Sequence, residues 1–402
     1  MAEQKLPKLT TRVRFPSPAP IPPDLKNSRD SFAARLVRWQ RRHGRHGLPW
    51  QGTRDPYRIW LSEVMLQQTQ VAAVIPYFER FVARFPTVAA LASAAEDDVL
   101  ALWSGLGYYA RARNLHRAAK EVVARFGGYF PVQFDAVLEL PGIGRSTAAA
   151  IVAFATGEPH AILDGNVKRV LARHAGVPGD PSSTAVLAKL WQAAEARLPA
   201  RDVEPYTQGL MDLGTGVCMR VPRCDACPVA ADCVARQEDR VEELPGRKKR
   251  NARTRRQTAM LVIVSNGEVL LEKRPPSGIW GGLWSLPEAP ASAKPGQAAL
   301  RAWGLEVVRA HKLEAFEHAF THYTLEVTPW RVDVKRGAHI AGERAATWLD
   351  LSETSTAALP APVKKLLANL SRSASAASGS GAAPRGARRR RCARGASASP
   401  GS

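Results

Sequence analysis

From Asp30 to about Arg236 apolar residues recur at spacings of three and four, and alternation at a spacing of two begins only after residue 258. That change of period excludes one uniform fold and calls for two bodies, the first all-α and the second a smaller α+β domain. Helical period is plain in Phe32 to Trp39, Tyr57 to Gln70, Val99 to Trp103, Leu115 to Phe126 and Val186 to Leu198. Turn signals at Leu48-Pro49, Phe85-Pro86, Gly127-Gly128, Pro141-Gly142 and Pro178-Gly179 divide the run into roughly ten helices. In the second body, Ala259 to Ser265 and Glu268 to Lys273 flank Asn266-Gly267, which predicts a β-hairpin. Further strands are expected at Leu313 to Phe320, Thr324 to Val334 and Ala346 to Leu349, with helices near Gln297 to Trp303 and Val363 to Leu370.

Charge marks the segments between and beyond these bodies. The 402 residues hold 57 Lys or Arg against 36 Asp or Glu, a net charge of +21. Residues 247 to 256 carry seven Lys or Arg and no acid, and residues 371 to 402 carry seven Arg and no acid. Residues 1 to 30 add six positive against three negative charges, so the body between is nearly balanced and any polyanion must meet a local patch. The expected divisions are a disordered extension over 1–29, an α domain over 30–236, a basic linker over 237–257, an α+β domain over 258–370 and a disordered Arg-rich tail over 371–402. Apolar stretches as long as Ala148 to Ala155 fall far short of a bilayer span, and residues 1–29 lack an apolar signal core, so no membrane is expected and a cytoplasmic location is.

Four of the five cysteines lie within sixteen residues as Cys218-x5-Cys224-x2-Cys227-x5-Cys233. Four thiolates so gathered can hold either a [4Fe–4S] cluster or a structural zinc, and the spacing alone does not choose. Arg220 and Arg223 then sit on the surface of the loop the metal closes, where they can meet phosphates. A second signal is Leu140-Pro141-Gly142-Ile143-Gly144-Arg145-Ser146, a Gly-rich turn opening into an apolar helix. Gly142 and Gly144 allow close backbone approach, and the free N–H groups at the helix start suit a nucleic-acid phosphate read without sequence.

Two acids stand out from their surroundings. Asp164, in Ile162-Leu163-Asp164-Gly165-Asn166-Val167-Lys168, is placed to cap a helix, and a carboxylate held there can also face a developing positive charge. Glu63 interrupts an apolar and amide-rich helix, with Ile59, Trp60, Leu66 and Gln67 at helical spacing. Desolvation by such neighbours favours the protonated acid that a general acid requires. Aromatic and amide residues beside arginines, Tyr108 and Arg111 in one stretch and Gln67, Gln68 and Thr69 in another, suit filling the gap left by an extruded base.

The motifs LPW (48–50), WLSEVMLQQTQV (60–71), GLGYYARARN (105–114), LPGIGRSTA (140–148), ILDGNVKRVL (162–171) and the cysteine cluster together resemble adenine DNA glycosylases of the MutY type, within the endonuclease III superfamily of helix-hairpin-helix glycosylases. The resemblance runs from about residue 30 to 370 and implies a six-helix barrel with a helix-hairpin-helix, a [4Fe–4S] loop, and a Nudix-like C-terminal domain that recognises 8-oxoguanine opposite the target adenine. It implies that Glu63 protonates adenine N7, that Asp164 stabilises the oxocarbenium-like sugar, and that Asn166 supports them, the two-carboxylate logic of glycoside cleavage applied to an N-glycosidic bond. By the same matching Tyr108 and Gln68 intercalate near 8-oxoguanine, and Thr321 and His322 contact it. Ser146 stands where bifunctional relatives carry a nucleophilic lysine, and a hydroxyl forms no Schiff base, so a monofunctional enzyme is expected, with Lys168 able to form slow adducts.

WGGLWSLPE (280–288) resembles the Nudix-like domain, but the stretch matching the Nudix helix, Ala298 to Val307, holds only Glu306, too few carboxylates for hydrolysis. The family spaces its first two cysteines by six residues where this chain has five. The expected partner is double-stranded DNA bearing 8-oxoguanine:A or G:A, met by a monomer associated with the bacterial nucleoid. The rival readings are an endonuclease III-like pyrimidine glycosylase with lyase activity, against which Ser146 and the C-terminal domain argue, and a non-catalytic DNA-binding sensor, against which Glu63 and Asp164 argue.

Overall fold

Local chemistry starts and stops the helices. The Asp55 carboxylate accepts the Tyr57 N–H at 3.0 Å with Pro56 in the first turn, and Asp164 accepts the Val167 N–H at 2.7 Å. Gly127 and Gly157 end two helices in the left-handed conformation. The computed structural model describes residues 30–246, 253–320, 323–335 and 345–379. It divides into one unit of residues to Thr254 together with Pro276–Gly281, and a second of Arg255–Pro275 with residues from Gly282 on.

Among the described residues the first unit is helical throughout: α1 (Phe32–His43), α2 (Pro56–Leu66), α3 (Val71–Arg84), α4 (Val88–Ser93), α5 (Glu96–Trp103), α6 (Ala110–Phe126), α7 (Phe134–Leu138), α8 (Arg145–Thr156), α9 (Gly165–His174), α10 (Thr184–Arg197), α11 (Val203–Gly216) and α12 (Val234–Gln237). Trp60, Phe78, Phe81, Phe85 and Trp103 are fully buried around α2, α3 and α5. A second cluster joins Phe32 and Leu36 of α1 to Val167, Val170 and Leu171 of α9 and to Tyr206, Leu210 and Leu213 of α11. Helix α2 is buried nearly all round, through Tyr57, Ile59, Trp60, Leu61, Ser62, Val64 and Met65, as a central helix must be.

Two glycines are needed where a neighbour comes too close for a side chain. Gly142, at φ +80°, makes the turn between α7 and α8, and a Cβ there would stand 2.7 Å from Cβ of Asn114. A Cβ at Gly214 of α11 would stand 2.7 Å from Cβ of Asn166, so α11 and α9 cross at backbone contact.

In the second unit β1 (Thr254–Ser265) and β2 (Glu268–Lys273) form the expected hairpin, with Asn266 and Gly267 at φ +50° and +83° as a type I′ turn requires. With β3 (Trp284–Ser285), β4 (Glu288–Ala289), β5 (Glu306–Lys312), β6 (Phe316–Ala319), β7 (Tyr323–Lys335) and β8 (Ala346–Asp350) they build one eight-stranded sheet, its spine ordered β3-β2-β1-β7-β5. Helix α13 (Pro295–Trp303) lays Ala299 and Trp303 on a core that includes Leu261, Ile263, Leu270 and Val332.

Three segments differ from the sequence reading. β1 begins at Thr254, inside the basic run expected to be linker. β5 was not expected, because its largely exposed EVVRAHK carries no two-residue alternation, and pairing with β7 alone makes it a strand. Helix α14 (Ala361–Gly379) continues past Leu370 into the Ser- and Ala-rich segment expected to be disordered, where alanine favours helix continuation.

Candidate active site

Since α2 buries almost every face, the one acid it carries has to go into a cavity or be paired. Glu63 goes into a cavity of about 330 Å³, walled by Ile59, Ser62 and Leu66 of its own helix, by Trp50 and Phe154, and by Gln208 and Met211 of α11. Burial first and the charge of Asp164 second push the Glu63 carboxyl up to about 8, so it holds its proton at neutral pH. Residues 45–53 form much of the remaining wall, and sequence reasoning missed what fixes them. Buried Asp212 accepts the Arg45 N–H at 2.9 Å, Arg45 Nε at 2.6 Å and Gln208 Nε2 at 2.9 Å. Its only sequence signal is an acid on the apolar face of α11.

Asp164 both caps α9 and neighbours Glu63, so the structural and the chemical readings of this residue hold together. Burial raises its carboxyl above the ordinary range, while the Val167 and Asn166 N–H groups and the charges of Arg169 and Lys168 pull it back toward ionisation. The pair therefore titrates as a unit in which Asp164 keeps the charge and Glu63 the proton. Ser146 steadies the approach to Asp164, its Oγ accepting the Leu163 N–H at 2.9 Å. Asn166 Oδ1 accepts from Arg169 Nη2 at 2.9 Å, and Arg169 also donates to the carbonyls of Gly214 at 2.7 Å and Cys218 at 2.8 Å.

Tyr108 is 50% exposed and Gln68 is exposed, both at positive φ, +49° and +57°, which non-glycine residues seldom adopt. Gln67 is half-buried and donates to Thr147 Oγ1 at 3.3 Å. Arg111 corrects the sequence reading: expected to face nucleic acid, it is 8% exposed, and burial pushes it down to about 10. Its two Nη groups bond main-chain carbonyls of both loops and its Nε is buried without a partner, so no donor of the group faces outward to a phosphate. Gly144 starts α8 with open space where a Cβ would be, and Arg220 and Arg223 are exposed. Thr321 and His322 lie outside the described residues.

Cys218, Cys224, Cys227 and Cys233 line one small cavity of about 30 Å³ beside α9. Burial and the neighbouring thiols raise Cys227 to about 11 and raise Cys233 as well, so these sulfurs need a cation to become thiolates. Among the described residues no three Cys, His, Asp or Glu side chains converge as a single ion requires. Buried Arg173 closes the cavity, donating to Cys218 Sγ at 3.5 Å and to the Met219 carbonyl at 2.6 Å. Four sulfurs around one cavity are the donors that a thiolate-bound metal group would use. In the second unit, Glu306 is spent at the surface on Lys335 Nζ at 3.3 Å.

Comparison with known proteins identifies both units. A family model described as HhH-GPD superfamily base excision DNA repair protein matches residues 61–196, and one described as NUDIX domain matches residues 258–369. The adenine DNA glycosylase of Buchnera aphidicola subsp. Schizaphis graminum is 35% identical over 339 residues, which cover 84% of this chain and 97% of the relative. The human adenine DNA glycosylase is 32% identical over 401 residues, covering 84% of this chain and 73% of its own. A solved thermostable thymine-DNA glycosylase, 28% identical, covers 52% of this chain and 95% of its own with a TM-score of 0.47.

A reaction that takes its proton from Glu63 loses rate as pH rises through the raised pKa. The single-turnover rate of base release should hold below pH about 8 and fall about tenfold per unit above it. A rate unchanged to one unit above that value would show that Glu63 is not the proton source.

Proposed function

The chain belongs to the family of adenine DNA glycosylases, N-glycosyl hydrolases of base excision repair, and we propose that it removes adenine paired with 8-oxoguanine or guanine and stops at base release. One observation carries the reading: a carboxyl that keeps its proton to about pH 8, in a cavity, beside a second carboxyl anchored at a helix start. Glu63 gives its proton to N7 of the extruded adenine, and the C1′–N9 bond breaks with its electron pair leaving on the neutral base. Asp164 faces the positive charge left on the sugar, ionically or as a transient ester, and water completes the hydrolysis at C1′. Asn166, held by Arg169, supports the turn on which Asp164 sits.

Release without strand cutting is supported by Ser146, whose hydroxyl is already engaged with the Leu163 N–H. No amine stands there to attack the sugar. Recognition of 8-oxoguanine is assigned to the Nudix-like domain, with Thr321 and His322 as its contacts, and that domain binds rather than hydrolyses because its one matching acid, Glu306, is paired at the surface. Gly142, Gly144, Arg220 and Arg223 take phosphates, Gln67, Gln68, Thr69 and Tyr108 lie against the bases, and Lys168 stands near the abasic sugar. Cys218, Cys224, Cys227 and Cys233 hold a [4Fe–4S] cluster, supported by four sulfurs around one cavity and by the family to which the chain belongs. That cluster, when bound, fastens the loop bearing Arg220 and Arg223 to α9.

Single-turnover assays on duplexes with 8-oxoguanine:A, G:A and thymine glycol:A, with and without alkali, test this reading. Adenine release that needs alkali for scission, and that falls about 10²- to 10⁴-fold in Glu63→Gln, is expected. Scission at thymine glycol without alkali would contradict it. Metal analysis of the same preparation should find iron with acid-labile sulfide, and zinc in their place would overturn the cluster assignment.

A further inference from the structure

Arg111 is a buried cation with no carboxylate partner among the described ion pairs, an arrangement costly enough to need a reason. Its Nη1 donates to the carbonyls of Val64 at 3.0 Å, Met65 at 2.7 Å and Gln67 at 2.6 Å, the open carbonyl end of α2. Its Nη2 donates to Thr69 Oγ1 at 3.1 Å and to the carbonyls of Leu106 at 3.3 Å and Gly107 at 3.1 Å. The guanidinium also lies 5.3 Å from the Trp103 ring and 5.5 Å from that of Tyr108. One planar fork therefore ties two loops, and each loop carries an exposed residue in the left-handed region, Gln68 in one and Tyr108 in the other. Backbone of that kind persists only where its surroundings hold it. Lysine, a point donor, cannot span both loops.

We propose that Arg111 is a positioning residue for base extrusion, holding Gln68 and Tyr108 as one rigid jaw that occupies the duplex as the base leaves it. This rests on the adenine glycosylase reading, since it supposes a base that is turned out of its stack. The guanidinium touches neither base nor sugar and acts through the two side chains it presents.

The test uses the intact protein and a duplex with 2-aminopurine, whose fluorescence rises on unstacking, in place of adenine opposite 8-oxoguanine. Arg111→Lys should slow extrusion and adenine excision on the order of 10²-fold, the cost of a small misplacement, while the pH at which excision falls stays where it was. Thr69→Val, which removes the acceptor for Arg111 Nη2 together with the hydroxyl's own bond to the Gln67 carbonyl at 3.3 Å, should give a partial loss of the same kind and serves if the lysine variant does not fold. Extrusion at the wild-type rate in either variant would overturn the proposal. So would lost excision with intact extrusion and a displaced pH limb, which would assign the guanidinium to the Glu63 helix alone. Wild-type protein that extrudes the analogue but excises no adenine, with extrusion lost in Arg111→Lys, would support the proposal and remove the adenine reading.

Discussion

Two carboxyl groups brought together in a buried place cannot both stay ionised, and the helical unit decides which one gives way. Asp164 has donors, the N–H groups of Val167 and Asn166 and the cations of Lys168 and Arg169, whereas Glu63 is raised first by its burial on a largely apolar helix. Charge settles on the first and the proton on the second. An enzyme that expels a poor leaving group needs this division: one group to make the base neutral as it departs and one to face the cation that remains. The same asymmetry explains the burial of α2, since a solvated helix there would leave Glu63 an ordinary glutamate.

Holding that pair still falls to polar groups, buried or half-buried, that tie one segment to another. Asp212 ties down the loop walling the Glu63 cavity, Arg169 joins the start of α9 to the end of α11, and Arg173 joins α9 to the cysteine loop. Arg111 does the same for the end of α2 and the Tyr108 turn. Arg111 and Arg173 each spend a buried charge on carbonyls that a hydrophobic replacement would leave unsatisfied. The close crossing at Gly214 lets α11 serve the cavity with one face and Asn166 with the other.

Much of this was legible in the residues, and the limits have physical causes. The change from helical to alternating period separated an all-α part from one with a sheet, and Asn266-Gly267 located its hairpin, because both signals are local. Glu63 stood out as an acid among apolar residues and Asp164 as a helix cap, but their meeting across 101 positions is a property of the fold. Arg111 was misread because an arginine beside tyrosines looks the same whether its fork reaches outward or in. Strand β5 was invisible for a similar reason, since its largely exposed EVVRAHK becomes a strand only through β7. The Ser- and Ala-rich end of α14 was too poor in apolar residues to show that it continues a helix already begun.

The central claim, a protonated Glu63 sustained by burial and by Asp164, is tested most directly by titrating the Glu63 carboxyl itself, by carbon-13 NMR of glutamate-labelled protein or by infrared difference spectroscopy against Glu63→Gln. The account predicts a midpoint of about 8, moving down but staying above the ordinary glutamate value of 4.5 in Asp164→Asn, because burial is the larger cause and the neighbouring charge the smaller. A midpoint near 4.5 in both proteins would contradict it.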